Sequence, residues 1–360
     1  MSASQYSELI ARTERLVNAE WTTIRQCDSA SQEIRSQVAE VLQRQFERLG
    51  STDTAFVVYG SLARGEWTSG SDLDWTFLID GQANSDHLRI AQEVGRVLES
   101  RFPKPGATGT FGNLTFSHEV VHRIGGVHDT NINTTQRVLL LLESAGVPLA
   151  AKGAYERVIR AVLNRYLEED ERLSKNGRFK VPRFLLNDIV RFWRTMAVDF
   201  ASKQRERGGE GWGIRNAKLR MSRKLIFAAG LLICFSCVLD DELNGQIGSS
   251  VEENRLILVD HLKKQTMKTP LELLAETVQK FSIPHEHIRK LFDSYNHFLS
   301  ILSDEAKREE LKQLRIEDAE KSAVFHKEVR PISTEFQVAL NAIFLDNELI
   351  GDLTRRYAIF

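Results

Sequence analysis

The spacing of apolar residues changes near residue 50, and this change predicts two kinds of structure. Before that point they recur at steps of three or four residues, as Val38, Leu42 and Phe46 do, which is typical of amphipathic helices. Gly50 is the kind of residue that ends a helix. We therefore expect residues 1–49 to form a helical segment that packs on the core of the protein.

Short apolar runs follow this segment. Residues 55–59 and 75–79 are rich in β-branched and aromatic side chains and are predicted to be buried strands. Helical spacing returns over residues 85–101, and residues 114–124 are predicted to form a third strand. Together these elements make a small α/β core over residues 50–132.

Almost everything after this core has helical spacing. Pro182, Pro270 and Pro284 stand where helices are expected to begin, a position that proline tolerates. Predicted helices begin at residue 138 and run over 184–204, 217–239, 252–265, 270–280, 284–302, 304–325 and 333–349. The pattern predicts the α+β class: a small α/β core followed by a large all-helical domain over residues 133–360.

The composition of the chain restricts the possible classes of protein but does not indicate a function. A chain of 360 residues suits two or three domains, and a net charge of -1 gives no general attraction to nucleic acid or membranes. The apolar stretch 225–239 is shorter than the roughly 20 residues that span a bilayer. We therefore expect a buried helix there and no membrane association. The first residues lack the basic and apolar segments of a secretory signal.

The protein has three cysteines, Cys27, Cys234 and Cys237, which cannot all pair with one another. This number favours a reduced, cytoplasmic setting. Cys234 and Cys237 have CxxC spacing, but they lie inside the apolar stretch and no second such pair accompanies them. We expect them to pack within a helix rather than to bind zinc.

Candidate chemistry is concentrated in residues 59–75, which read Tyr-Gly-Ser-Leu-Ala-Arg-Gly-Glu-Trp-Thr-Ser-Gly-Ser-Asp-Leu-Asp-Trp. Asp72 and Asp74 stand two residues apart at the start of a predicted strand, so their side chains point to the same side. Such hard oxygen ligands suit Mg²⁺ or Mn²⁺ shared with substrate phosphates. Gly60 allows the backbone to approach a phosphate closely, and Ser61 offers a hydroxyl and a backbone N–H.

This segment resembles the core motif of the DNA polymerase β nucleotidyltransferase superfamily, a Gly-Ser followed by Asp-x-Asp. Its Gly-Ser-Leu-Ala-Arg-Gly-Glu version is most similar to the bacterial branch that contains signal-transduction nucleotidyltransferases and the uridylyltransferases of nitrogen-regulatory proteins. The resemblance implies that Gly60 and Ser61 bind the triphosphate and that Asp72 and Asp74 are catalytic and hold the metal.

The resemblance covers residues 50–150, and the superfamily normally supplies a third acidic residue from a neighbouring strand, often as the general base. We favour Glu119 as this catalytic and metal-binding residue because it lies within the predicted strand 114–124. Asp129 is the alternative, although Asp and Thr before an apolar helix commonly serve as N-caps.

Further nucleotide-binding residues are predicted outside the Gly-Ser and Asp-x-Asp pairs. Arg64 lies within the same motif. In the helical domain, Arg215, Lys218 and Ser222 share one helix face that would clamp the β- and γ-phosphates. The alternative for this face, and for the polar face at residues 187–194, is a surface or acceptor-binding patch.

The sequence therefore predicts a metal-dependent nucleotidyltransferase. It would transfer a nucleoside monophosphate from a nucleoside triphosphate to a hydroxyl of a protein or RNA acceptor, with release of pyrophosphate. One alternative is a nucleotide second-messenger synthase, in which another nucleotide supplies the hydroxyl. Another is a nucleotide-binding regulatory or antitoxin-like module with little turnover, which gains weight if the third carboxylate is absent.

Overall fold

The structure is a computed structural model that describes residues 3–46, 52–106, 110–148, 153–168, 170, 172–206 and 208–358. Gly50, the predicted end of the N-terminal helical segment, lies outside these residues. The class is α+β, as the apolar spacing predicts.

The N-terminal segment forms two helices, α1 (Ala3–Val17) and α2 (Thr22–Phe46). Between them Asn18 adopts the left-handed conformation with φ of 50°, which ends α1. Trp21 follows; its ring stacks on that of Phe292 at 4.5 Å. Farther along, α2 packs its apolar face on the sheet described next. The segment thus contacts both the α/β core and the later helices.

A mixed four-stranded sheet has the order β3-β2-β1-β4. β1 runs antiparallel to both β2 and β4, whereas β2 and β3 are parallel. The strands are β1 (Thr54–Tyr59), β2 (Trp75–Ile79), β3 (Asn113–Phe116) and β4 (Ser144–Gly146). The connections contain α3 (Gly60–Ala63), α4 (Ser85–Glu99) and α5 (Ser117–Val121). All of β2 is buried and nearly all of β1, which explains their continuous apolar runs.

Two features of the sheet differ from the sequence prediction. The third strand ends at Phe116, because its register partner Ile79 is the last residue of β2 and nothing remains to pair with beyond it. Residues 117–121 form α5 instead. The fourth strand lies beyond residue 132, so the predicted core 50–132 leaves out a strand that pairs with β1.

The described residues after 133 are mostly helical, and two short stretches among them form strands: β4 and a hairpin of β5 (Ser174–Lys175) and β6 (Arg178–Phe179). The helices are α6 (Asn131–Leu142), α7 (Ala154–Glu168), α8 (Arg183–Glu206), α9 (Trp212–Arg220), α10 (Ser222–Leu239), α11 (Asp241–Asn244), α12 (Val251–Thr266), α13 (Pro270–Lys280), α14 (His285–Ser303), α15 (Glu305–Gln313), α16 (Arg330–Asn341) and α17 (Glu348–Tyr357). Val324–Val329 and Ala342–Asp346 are π-helical.

The predicted helix 304–325 is broken after Gln313. Leu314 turns to an extended conformation, and its carbonyl accepts a hydrogen bond from the N–H of Gly213 at 3.2 Å. A side-chain carbon at Gly213 would lie 2.7 Å from the carbonyl oxygen of Leu311, so this glycine allows α9 and α15 to touch. The predicted helix 217–239 is likewise divided, at Met221.

Helix α10 is the central helix of the fold. The stretch Trp212–Leu239 is long and apolar enough to cross a membrane, but 67% of its most apolar window is buried inside the protein, as expected for a core helix. Cys234 and Cys237 are free thiols with no exposed surface. The expectation that they serve packing is confirmed.

Candidate functional site

The turn after β1 brings the two halves of the Gly-Ser/Asp-x-Asp motif together. Gly60 has φ of +66°, a conformation that favours glycine, and a side-chain carbon there would lie 3.1 Å from Oδ2 of Asp74. The N–H of Tyr59 donates to the carbonyl of Asp74 at 2.9 Å, which extends the β1–β2 ladder by one residue. Gly60 and Asp74 are therefore neighbours in the folded chain.

Asp72 and Asp74 are separated by Leu73, which is buried in the core. Asp72 is exposed and Asp74 is partly buried. Because side chains alternate along extended backbone, burying Leu73 turns both carboxylates away from the core. The backbone thus presents two carboxylates beside Gly60.

The environment of Asp74 disfavours an unaccompanied negative charge. Burial, together with the charges of Glu143 and Asp72, raises the pKa of Asp74 to about 7. A divalent cation would remove this repulsion, and carboxylate oxygens are the ligands that Mg²⁺ and Mn²⁺ prefer. The Asp72–Asp74 pair therefore fits such an ion.

Glu143 is an acidic residue that the sequence analysis did not single out. It follows α6 directly and precedes β4, whose residue Ser144 pairs with Tyr59 of β1. Glu143 thus lies on one side of the end of β1 and Asp74 on the other. A signal was present, since Glu143 closes the unbroken apolar run Val138–Leu142, but its short strand lacked β-branched residues.

Glu143 is also held by a buried ion-pair network. Arg64 donates to Glu143, and its Nη2 lies 2.7 Å from Oε2 of Glu66. The hydroxyl of Tyr295, on α14, donates to Glu66 at 2.7 Å. Within the described part of the chain, no group of three or more His, Cys, Asp or Glu side chains is arranged to hold a metal. The structure therefore provides a carboxylate pair with a tethered third carboxylate beside it.

The positions of Glu119 and Asp129 differ from the sequence interpretation. Glu119 lies on α5 rather than on a strand, and it pairs with Arg123 at 3.3 Å on the surface. Asp129 is buried and accepts two hydrogen bonds from Arg137, at 3.1 and 3.0 Å. The prediction of a strand around Glu119 is therefore wrong. Of the Asp and Thr expected as N-cap candidates before α6, Thr130 is the N-cap.

Arg64 was predicted to bind nucleotide, but its guanidinium faces two carboxylates instead. The residue is 8% exposed and its partners are Glu66 and Glu143. A phosphate-binding role for Arg64 stays a prediction. The contacts present favour a role in holding Glu143.

Lys218 on α9 lies in the electrostatic range of Asp72. Burial lowers the pKa of Lys218 to about 8; the nearby cation Arg308 lowers it further, and the charge of Asp72 opposes both effects. Ser222 is buried and its hydroxyl donates to the carbonyl of Lys218 at 3.3 Å. Arg215 donates to the carbonyl of Glu210. Lys218 of the predicted face therefore interacts electrostatically with Asp72, while the Ser222 hydroxyl is engaged with a backbone carbonyl of the preceding turn.

Two further cations interact with the acidic residues of this site: Arg223, which lies in the basic stretch 215–224 considered from the sequence, and Arg308, which the sequence did not single out. Burial lowers the pKa of Arg223 on α10, while the charges of Asp199 and Glu143 raise it. Burial also lowers the pKa of Arg308 on α15, and Asp72 raises it. Arg308 is some 230 residues from the Asp-x-Asp motif along the chain, so no local pattern connects them.

The sheet, the motif at its strand ends and the surrounding charged residues together define the class of protein. A mixed sheet with Gly-Ser at the end of one strand, Asp-x-Asp at the start of its antiparallel neighbour and cations opposite them is a site for phosphoryl chemistry. Residues 36–115, from the second half of α2 to β3, match the family model of the nucleotidyltransferase domain. The chain carries a nucleotidyltransferase domain of the polymerase β-like superfamily and is a transferase of phosphorus-containing groups. No curated protein matches the chain.

Proposed function

We propose that the protein transfers a nucleoside monophosphate from a nucleoside triphosphate to a hydroxyl of a protein or RNA acceptor, with Asp72 and Asp74 as its metal ligands. The observation that carries this proposal is the approach of Gly60 to Asp74, supported by the charge interactions of Asp74 with Asp72 and of Asp72 with Lys218. These groups would supply a turn that accepts a phosphate, two metal ligands and a positive charge near one another.

Each group has a role in holding the triphosphate. Gly60 leaves room for a phosphate next to its backbone, and Ser61 supplies a hydroxyl and an N–H donor. Lys218 and Arg223 bring positive charge from the helical domain to a partly buried site, where charge–charge attraction is screened less than in water. Mg²⁺ or Mn²⁺ bound by Asp72 and Asp74 would activate the attacking hydroxyl and neutralise the leaving pyrophosphate.

We assign the third acidic position to Glu143 in place of Glu119. Transfer joins the acceptor oxygen to the α-phosphorus, breaks the bond from that phosphorus to pyrophosphate, and releases the hydroxyl proton. Burial raises the pKa of Glu143, which makes it a better proton acceptor, while the ion pair with Arg64 counteracts this and fixes its position. The carboxylate therefore combines basicity with a defined location.

An exposed apolar surface near the site bears on the identity of the acceptor. Two exposed apolar side chains lie close together in the chain, Val127 in the segment before α6 and Ile132 in its first turn, the latter 66% exposed. Helix α6 runs from this segment directly to Glu143. An apolar surface connected to the catalytic carboxylate by one rigid helix suits docking of a protein acceptor. We also propose that the protein belongs to the bacterial signal-transduction branch of the superfamily and that it acts in the cytoplasm.

A second candidate function is a nucleotide-binding regulatory module with little turnover. It is favoured by one observation, namely that Glu143 is tied to Arg64 rather than grouped with Asp72 and Asp74. Such a protein would bind nucleotide and metal but transfer nothing.

The test is incubation of the purified protein with each α-³²P-labelled nucleoside triphosphate and Mg²⁺ or Mn²⁺, with and without cell lysate. We expect label in a lysate protein or RNA, and none with the double variant Asp72→Asn/Asp74→Asn. Label in a small-molecule product without lysate indicates a second-messenger synthase. Nucleotide binding without transfer under any condition indicates the regulatory module. Full transfer by the double variant refutes the proposed metal site.

A further inference from the structure

We propose that Arg308 is a positioning residue that fixes the turn carrying Asp72 and sets its distance from the phosphate-binding face of α9. This rests on the proposed function of Asp72 as a metal ligand. Arg308 lies on α15, far from the motif in sequence, and nothing in the motif requires it.

The contacts of Arg308 converge on the turn before Asp72. Its Nη2 donates to the carbonyl of Gly70, and its Nη1 lies 3.3 Å from Oγ1 of Thr68. The turn is closed on itself, because the N–H of Ser71 donates to the carbonyl of Thr68 at 2.9 Å and the N–H of Thr68 donates to Oγ of Ser71 at 3.0 Å. Arg308 therefore joins an already closed turn to the helical domain.

The contact with Arg308, and not the backbone conformation of the turn, requires a glycine at position 70. Its φ is not in the left-handed region, so its backbone conformation is open to any residue. A side-chain carbon there would lie 2.4 Å from Nε and 2.5 Å from Cζ of Arg308. The absence of a side chain at Gly70 is what admits the guanidinium.

The electrostatics of Arg308 point to Asp72. The residue is 8% exposed, and no ion pair of Arg308 with a carboxylate is found among the residues that the structure describes. A buried guanidinium bound by the carbonyls of Gly70 and Leu302 and the hydroxyl of Thr68 has no carboxylate to balance its charge, and the charge of Asp72 favours its protonated form.

Helix α15 also connects this turn to Lys218. α15 packs against α9, where the N–H of Gly213 donates to the carbonyl of Leu314. Arg308 contacts the turn before Asp72, and the end of α15 contacts α9, which carries Lys218. Helix α15 therefore holds the two carboxylates and Lys218 in fixed relative positions. Loss of Arg308 should therefore weaken metal binding, and not only stability.

A double-mutant cycle on Gly70 and Arg308 tests the inference. Gly70→Ala displaces the guanidinium, Arg308→Ala removes it, and the double variant has no side chain left to displace. The first readout is Mn²⁺ binding without nucleotide, measured by the electron paramagnetic resonance signal of free Mn²⁺. The second is hydrogen exchange of the amides of residues 68–73 in the metal-free protein.

We expect each single variant to weaken Mn²⁺ binding by about tenfold and to speed exchange in the turn, with the double variant no worse than Arg308→Ala alone. Arg308→Lys should restore part of the binding, since it keeps the charge but offers a single donor centre. Controls are Lys312→Gln, which removes an exposed cation from the same helix, and Gly126→Ala, at an exposed glycine outside the left-handed region. Both should bind Mn²⁺ as the wild-type protein does.

The possible failures are distinguishable. Normal Mn²⁺ binding in the wild-type protein and equally in Gly70→Ala and Arg308→Ala overturns the inference alone. Additive losses in the double variant overturn it too, because the harm of Gly70→Ala would then not arise from Arg308. A wild-type protein that binds no Mn²⁺, or binds it equally after Asp72→Asn/Asp74→Asn, refutes the proposed function instead.

Discussion

Gly60 and Asp74 are so close that a methyl group at position 60 would lie 3.1 Å from a carboxylate oxygen of Asp74. This contact joins the end of β1 to the start of β2. It also makes Gly60 necessary for two separate reasons, the left-handed backbone and the space beside the carboxylate.

Gly60→Ala should therefore impair transfer beyond its effect on folding. Left-handed backbone costs a non-glycine residue roughly 1–2 kcal/mol, and displacement of Asp74 should lower kcat/KM by about 100-fold. The matched control is Gly177→Ala, because Gly177 has φ of +70° but nothing within 4 Å of its would-be side chain. Steady-state kinetics and thermal melts of both variants separate the effects. Equal activity in the two would show that the contact with Asp74 is unimportant.

Glu143 and Glu119 can be distinguished by single substitutions. Glu143→Gln should lower kcat by about 100-fold or more, since it removes the proposed proton acceptor. Glu119→Gln should be close to wild type, because Glu119 pairs with Arg123 at the surface. Arg64 keeps Glu66 as a partner in Glu143→Gln, so a melting curve should show a folded protein. A large loss in Glu119→Gln with normal Glu143→Gln would restore the original assignment.

Asp129 is expected to contribute to stability rather than chemistry. Its partner Arg137 has no exposed surface and also binds Asp188 and Tyr166. Asp129→Asn removes one charge from this buried network and should cost about 3 kcal/mol in the free energy of unfolding. Urea denaturation measures that loss, and kcat per folded molecule should stay unchanged. A selective loss of kcat would instead return Asp129 to the list of catalytic candidates.

His261 should make the protein sensitive to acid. It is buried, accepts or donates a hydrogen bond with Ser236 at 2.7 Å, and burial lowers its pKa to about 4. The unfolded chain, with a pKa of about 6.5, then binds a proton at a higher pH than the folded protein does. Stability contributed by the neutral ring is therefore complete above about pH 6.5 and falls as the pH drops toward 4, by about 2 kcal/mol at pH 5.

Urea denaturation of the wild-type protein and of His261→Gln at pH 7.5 and 5 checks this sign and size. The variant has no group titrating at position 261, so its stability should fall less between the two pH values. An identical fall in both proteins would mean that His261 does not cause the acid sensitivity.

The helices and strands of this fold could be predicted from the sequence where burial produces a regular pattern of apolar residues. β2 was placed at its observed bounds, residues 75–79, because a strand buried on both faces is continuously apolar. Helix α13 likewise matches at Pro270–Lys280, where Thr269, Pro270 and Glu272 form a capping box with a proline at the first turn. The Gly-Ser and Asp-x-Asp pairs were equally accessible, since they flank two adjacent strands.

What the sequence could not determine depends on partners distant along the chain. β3 stops at Phe116 because β2 offers no further partner, and Glu143 reaches the site because the edge of β1 recruits the small residues Ser144–Gly146 as a strand. Arg308 contacts Gly70 only in the folded chain, where α15 also packs on α9. The sequence by itself thus determined the nucleotidyltransferase motif and the helical character of the rest, which are local patterns of burial and backbone conformation. Only the tertiary structure decided which charged residues surround the motif. Ion pairs and pairings at strand edges join residues that are distant along the chain, so no regular spacing in the sequence marks them.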